Sequence, residues 1–111
     1  MIERHVGKTL TELEDRLANS GLYVVSSFPN RQAAEIAVSE AINANQSAIQ
    51  RWLASKSTKA YFFNYNAGQQ VGYYLPRSGT TLMPATSLRL ALLPSAQSPV
   101  GYYILTGYPI P

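Results

Sequence analysis

The chain has 111 residues, a length that predicts one domain able to bury its own core. Hydrophobic residues make up 46% of it and charged residues 14%, a composition typical of globular proteins rather than disordered ones. The absence of cysteine excludes disulfides, thiolate catalysis and cysteine-based metal sites, and no apolar run approaches the ~20 residues of a membrane-spanning helix.

The charged residues are distributed unevenly along the chain. All six acidic residues lie within residues 1–40, where four basic residues accompany them and leave a charge of −2. Residues 41–111 contain five basic residues and no acidic one. An acid-free segment of this kind favours a polyanionic partner such as nucleic acid, while simple solubility explains it equally well.

A first helix is predicted just after the N-terminus. Thr9 and Glu12 have the spacing of a capping box, and residues 19–21 (Asn-Ser-Gly) supply a stop signal. Between these signals, three leucines recur at helical spacing: Leu10, Leu13 and Leu17.

Two more helices and then strands are predicted. The second helix spans residues 31–43 with Asn30 as its N-cap, and the third ends near Ser55. Beyond it, residues 60–65 and 70–75 flank a four-residue turn and predict a β-hairpin, followed by a polar loop at 76–84. Further strands are predicted at 87–93 and 100–108. Helices followed by antiparallel strands indicate an α+β domain.

The last predicted strand carries two candidate site residues. Side chains alternate along a strand, so Tyr102, Ile104, Thr106 and Tyr108 are predicted to share one face. Pro109 cannot donate a ladder hydrogen bond and is predicted to end the strand. The hydroxyls of Thr106 and Tyr108 would then lie together at a strand end, on a rigid support for a site. Ordinary packing is the alternative role for each of them.

His5 and Arg16 are the candidates at the other end of the chain. They are eleven residues apart, close to three helical turns, so a continuous helix would place them on one face. Imidazole is the usual general base near neutral pH, and guanidinium is a planar clamp for phosphate. The alternatives are a solvated histidine and an ion pair between Arg16 and Glu12. Lys8 lies close enough in sequence to assist.

Several other chemistries have no support in the sequence. With one histidine and acids only near the N-terminus, no metal-ligand spacing is present, and no glycine-rich phosphate loop is followed by Lys-Ser/Thr. A second histidine for paired acid–base work is also missing. We therefore expect neither a metal nor a cofactor.

Stretches spread along the chain resemble the bacterial ribonuclease-A-like toxin domains found at the C-terminal ends of CdiA-type contact-dependent growth inhibition effectors. The resemblance covers nearly the whole chain. The matching stretches, in order, are His5-Val6-Gly7-Lys8-Thr9, Leu13, Arg16-Leu17, Ser26-Ser27-Phe28, Ile49-x-x-Trp52-Leu53 and Tyr103-Ile104-Leu105-Thr106-x-Tyr108-Pro109.

This resemblance implies a ribonuclease-A-like fold, with N-terminal helices packed on a twisted antiparallel β-sheet and no disulfides. Residues 1–111 would be one monomeric toxin domain, the C-terminal fragment of a larger secreted or cell-surface effector. It would be delivered into the cytoplasm of a competing bacterium and cleave RNA there without a metal. A cognate immunity protein would neutralise it.

The resemblance also implies the site. The family's functional residues fall on His5, Arg16, Thr106 and Tyr108, with Lys8 as a further substrate-binding candidate. The expected reaction is attack of a ribose 2′-hydroxyl on the adjacent phosphorus, leaving a 2′,3′-cyclic phosphate. The vertebrate pattern of two catalytic histidines is not met, so the general acid stays open. A basic RNA-binding module without catalysis and a protein-interaction domain are the alternative functions.

Overall fold

The computed structural model describes residues 5–77, 79 and 81–111. Within them the chain has the predicted α+β arrangement. The helices are α1 (Leu10–Ala18), α2 (Arg31–Ala44) and α3 (Gln46–Ala54). The strands are β1 (Val24–Ser27), β2 (Tyr61–Asn66), β3 (Gly72–Pro76), β4 (Met83–Ala85), β5 (Ser87–Pro94) and β6 (Tyr102–Ile110). No helix in these described ranges is long and apolar enough to cross a membrane.

Local hydrogen bonds begin the first two helices where the sequence predicted them. The Thr9 hydroxyl accepts from the backbone N–H of Glu12, and the Glu12 carboxylate accepts from the backbone N–H of Thr9. The Asn30 side chain accepts from the N–H of Ala33 at the start of α2. These bonds satisfy donors that the first turn of a helix leaves without a partner. The predicted capping box and the predicted N-cap are both confirmed.

The strands form two antiparallel sheets. The first sheet has the order β1-β3-β4, and the second sheet has the order β2-β5-β6. The predicted hairpin of residues 60–65 with 70–75 is therefore wrong, because β2 pairs with β5 whereas β3 lies in the other sheet. Strand β4 also includes Met83 and Pro84, which the sequence had placed in a polar loop.

The connection from β2 to β3 explains this error. Its backbone is held against the junction of β4 and β5, since Ala67 donates to the carbonyl of Thr86 and Val71 donates to that of Ala85. Gly68 makes the turn with a φ of +74°, a conformation that glycine adopts without a steric penalty. As a result, β3 pairs with residues 83–85 and β2 with residues 87–92, and the two strands do not pair with each other.

Strand β6 differs from its prediction in two ways. It continues through Pro109, which lies opposite Leu88; this is tolerated because β6 is an edge strand of the second sheet. It also contains a bulge, since Ile104 lies opposite Leu92 and Thr106 opposite Ala91, which leaves Leu105 without an opposite residue. The predicted single face is therefore wrong, because Tyr102 and Ile104 share the core face whereas Thr106 and Tyr108 lie on the outer face.

Among the described residues, two hydrophobic clusters support the fold. The larger lies between α2, α3 and the second sheet, and its largest fully buried side chains are Phe28, Ile49, Leu88, Leu90 and Leu92. The smaller packs α1 on the first sheet through Leu13, Leu17, Val25 and Leu75. The helices α2 and α3 thus cover the core face of the second sheet. They do not cover the outer face, on which Tyr108 lies.

Candidate active site

The segment 5–8 is tied to β1 and the residue after it. The backbone N–H of Phe28 donates to the carbonyl of His5, and the N–H of Gly7 donates to the carbonyl of Phe28. The N–H of Lys8 donates to the Ser27 hydroxyl, while the Tyr73 hydroxyl donates to the carbonyl of Lys8 at 2.8 Å. These bonds place His5 at the edge of the first sheet.

His5 and Arg16 are close in space, but not for the reason that the sequence suggested. Gly7 has a φ of +64° and α1 begins only at Leu10, so no continuous helix joins the two residues. The contact between them is tertiary, with Nη1 of Arg16 3.5 Å from Nδ1 of His5. Arginine can only donate, so in this contact we assign Nδ1 of His5 as the acceptor.

Tyr108 lies on the other side of the imidazole. Its ring centroid is 5.3 Å from that of His5, with the two planes tilted by 43°. His5 is only 8% exposed, while Tyr108 is partly exposed. The imidazole is therefore held between a guanidinium and a phenol.

These three side chains line one cavity with a volume of about 310 Å³. Its remaining lining residues are Leu22, Val24, Val25 and Ser26. Ser26 is a buried polar residue on β1, and its position was missed as a site residue. The available signal was a pair of serines in an otherwise apolar strand segment.

The other two predicted site residues are placed differently. Thr106 lies on the outer face beside Tyr108, but it is not among the residues that line the cavity. Lys8 is also not among them, and its ammonium lies 3.9 Å from the Glu12 carboxylate. The structure thus brings His5, Arg16 and Tyr108 together, with Thr106 adjacent and Lys8 at the start of α1.

Glu12 completes the electrostatics of that end of α1. Hydrogen bonds from the backbone and hydroxyl of Thr9, together with the charge of Lys8, lower the pKa of the Glu12 carboxyl.

Among the residues that the structure describes, no three His, Cys, Asp or Glu side chains are grouped so that they could hold a metal ion.

Comparison with solved structures defines the class of protein. The chain is similar to one described as "Crystal structure of CdiA-CT/CdiI complex from Y. kristensenii 33638", with a TM-score of 0.93 and 34% sequence identity. The match covers 99% of this chain and 97% of that one. The predicted ribonuclease-A-like fold without disulfides is thereby confirmed.

Comparison with protein families defines the family. The profile described as "Bacterial CdiA-CT RNAse A domain" matches residues 1–109, and the chain belongs to this family. Its membership makes it a toxin nuclease of the ribonuclease class, as the resemblance of its motifs implied. A search of curated proteins found no match.

Proposed function

We propose that this domain cleaves RNA by metal-independent transesterification in the cavity between His5, Arg16 and Tyr108. The observation that supports the proposal most directly is the convergence of an imidazole, a guanidinium and a phenol on one partly buried space. These are a proton acceptor, a phosphate-binding cation and a hydrogen-bond donor, the groups that the reaction needs.

The first step uses His5 and Arg16 together. Nδ1 of His5 takes the proton of a ribose 2′-hydroxyl, and the freed oxygen attacks the adjacent phosphorus. Arg16 donates to a phosphate oxygen and stabilises the negative charge that builds up on the phosphorane. The same two nitrogens are 3.5 Å apart, a long contact, so a bound phosphodiester would offer each a better partner.

The second half of the step releases the leaving group. The bond from phosphorus to the 5′-oxygen breaks, and the products are a 2′,3′-cyclic phosphate and a 5′-hydroxyl. Tyr108 either protonates the leaving oxygen, or donates to a phosphate oxygen while a water molecule supplies the proton of the 5′-hydroxyl. Thr106, beside it on β6, contacts the phosphate or the base, and Lys8 adds positive charge on the approach to the site.

The test is incubation of the purified domain with total bacterial RNA in EDTA. We expect cleavage that leaves 2′,3′-cyclic ends, and we expect His5→Ala to lower its rate by about 10²–10⁴-fold. DNA lacks the 2′-hydroxyl and should stay intact. Activity that depends on added metal, degradation of DNA, or full activity of a folded His5→Ala variant would contradict the mechanism.

We also propose that a cognate immunity protein binds this domain and blocks the cleft. The similar structure was determined as a CdiA-CT/CdiI complex. Titration of the active domain with its cognate immunity protein should abolish RNA cleavage at one equivalent, and full activity in its presence would refute the partner.

We further propose that the chain is the single, monomeric C-terminal toxin domain of a larger effector that is delivered into the target cytoplasm.

A non-catalytic RNA-binding module is the second candidate function. The five basic residues and the absence of acids in residues 41–111 favour it. It predicts salt-sensitive binding of RNA with no turnover by the parent protein, so the same incubation separates it from the enzyme.

A further inference from the structure

The outer face of the second sheet continues from Tyr108 across the two neighbouring strands. Residues directly opposite each other in antiparallel strands point to the same side of the sheet. The register aligns Asn64, Arg89 and Tyr108 in one row, and Phe62, Ala91 and Thr106 in the adjacent row. The cavity therefore shares a surface with residues of β2 and β5.

Phe62 and Arg89 form a cation–π contact on this surface. Phe62 is 52% exposed although it is a large apolar residue in a strand. The guanidinium carbon of Arg89 lies 5.2 Å from the centroid of its ring, and Nη1 of Arg89 donates to the side-chain oxygen of Asn64 at 3.1 Å. The two contacts hold the guanidinium beside the ring, and Phe62 still remains about half exposed to solvent.

An exposed phenylalanine is common on protein surfaces and by itself indicates nothing. Three further observations give this one a meaning. Arg89 lies directly opposite Tyr108, no strand of this sheet contains an acidic residue, and the small Ala91 separates Phe62 from Thr106. The distance across that row is two strand spacings, roughly 10 Å.

The chemistry of these groups matches a nucleobase. Unpaired bases of single-stranded RNA stack on aromatic rings and on arginine planes, and side-chain amides bind their edges. Because the strands of this sheet contain no acidic residue, the surface does not repel the phosphates on either side of the base.

We propose that Phe62, Asn64 and Arg89 form a binding subsite for the base of a nucleotide next to the scissile phosphate. Phe62 supplies the stacking surface, Arg89 extends it and carries the positive charge, and the Asn64 side chain contacts the edge of the base. The proposal rests on RNA being the substrate of the adjacent cavity.

The test compares oligonucleotides with and without a base at the flanking positions. One set carries a single ribonucleotide in a DNA strand. Each abasic version of it lacks the base on one side of the cleavable bond, and kcat/KM is measured for each version. A second set is entirely deoxyribonucleotide, and its Kd is measured by fluorescence anisotropy. The variants are Phe62→Ala, Phe62→Trp and Arg89→Ala.

Two variants serve as matched controls. Ile36→Ala removes an apolar side chain with nearly the same exposure, 53%, from α2 on the opposite side of the sheet. Arg51→Ala removes one positive charge from the surface of α3. Thermal melts verify that every variant is folded.

We expect Phe62→Ala to weaken binding of the intact oligonucleotide by about 10- to 100-fold, with Phe62→Trp close to the parent. Removing one of the two flanking bases should weaken binding to the parent by a similar factor and leave Phe62→Ala unaffected. The subsite would be overturned if base removal at both positions weakened binding equally in the parent and in Phe62→Ala. It would also be overturned if Ile36→Ala weakened binding of the intact oligonucleotide as much as Phe62→Ala does.

The two proposals fail in different ways. If the parent does not cleave total RNA, the proposed reaction fails. The subsite would still be supported if removal of a base raised the Kd of the all-deoxyribonucleotide strand for the parent but not for Phe62→Ala, a coupling between Phe62 and that base. If the parent cleaves RNA and that coupling is absent, the reaction stands and the subsite is wrong.

Discussion

The rings of His5 and Tyr108 contact each other at the cavity, but the chain holds the two residues in different ways. His5 belongs to a segment that precedes α1, tied to its neighbours by hydrogen bonds such as the one between its carbonyl and the N–H of Phe28. Tyr108 belongs to an edge strand whose neighbours are backed by the larger hydrophobic cluster.

The cavity has two walls: the N-terminal wall, formed by His5 and Arg16, and the sheet wall, formed by Thr106, Tyr108 and their strand neighbours. The difference in support indicates that the two walls have different roles. In the proposed reaction the N-terminal wall supplies the base and the cation, and a few hydrogen bonds set its geometry. The sheet wall supplies an extended surface that a packed core keeps rigid. Mutations in the first should therefore lower activity before stability, and mutations under the second should lower stability first.

Arg16 gives the largest expected effect on the N-terminal wall. Arg16→Ala should lower kcat by about 10²–10³-fold, because a fixed donor to the developing phosphorane charge is lost. Arg16→Lys should restore only part of the rate, since an ammonium lacks the planar pair of donors. Single-turnover cleavage with saturating enzyme measures the effect, with Arg51→Ala as the charge-matched control. Full recovery by Arg16→Lys would show that charge alone matters.

Gly107 tests the support of the sheet wall. A Cβ at this position would lie 2.6 Å from Cδ2 of the buried Leu90, so Gly107→Ala must displace packed side chains. Overpacking of this kind typically costs about 1–3 kcal/mol, which we expect in the free energy of unfolding by urea.

A second substitution checks this cause. Leu90→Val shortens the side chain that the new methyl group meets, so the double variant Gly107→Ala with Leu90→Val should lose less stability than the sum of the two single variants. Additive losses would mean that the strain lies elsewhere, for example in the backbone of β6.

The accuracy of the sequence predictions divides along the same line. The starts of α1 and α2 depend on side chains a few residues away, such as Thr9 and Asn30, and they were predicted correctly. The pairing of β2 and the bulge at Leu105 depend on strands far away in sequence, and no local pattern signals them.

The candidate site shows the same division. His5, Arg16 and Tyr108 were named from residue chemistry and from the resemblance to a family, whereas their contacts arise from tertiary hydrogen bonds and strand pairing. The cavity position of Ser26 depends on tertiary packing, and the row that contains Arg89 depends on the strand register.

Tyr73 tests how the N-terminal wall is held, with a smaller effect. Tyr73→Phe removes the hydrogen bond to the carbonyl of Lys8, a loss of about 1 kcal/mol in stability. We expect kcat to fall several-fold while KM changes little, because the position of His5 becomes less well fixed. Tyr103→Phe, on an exposed tyrosine of β6, is the control. A Tyr73→Phe variant with parental kcat and reduced stability would show that the bond serves folding only.

The smallest expected effect is the pH dependence that Glu12 contributes at the start of α1. Hydrogen bonds from Thr9, aided by Lys8, lower the pKa of this carboxyl below its ordinary value of 4.5. Its contribution to stability is therefore fully present above that pH and is lost as the pH falls through the lower pKa of the folded state.

Glu12→Gln keeps the side-chain shape of the capping box but removes the charge. Its melting temperature should lie slightly below that of the parent at pH 7 and approach it at a pH below the lowered pKa of the folded state, where the parent carboxyl is protonated. Glu14→Gln, on the exposed surface of the same helix, is the control. A difference between Glu12→Gln and the parent that is the same at both pH values would mean that the carboxylate charge does not stabilise this helix end, and that the amide simply fits the cap less well.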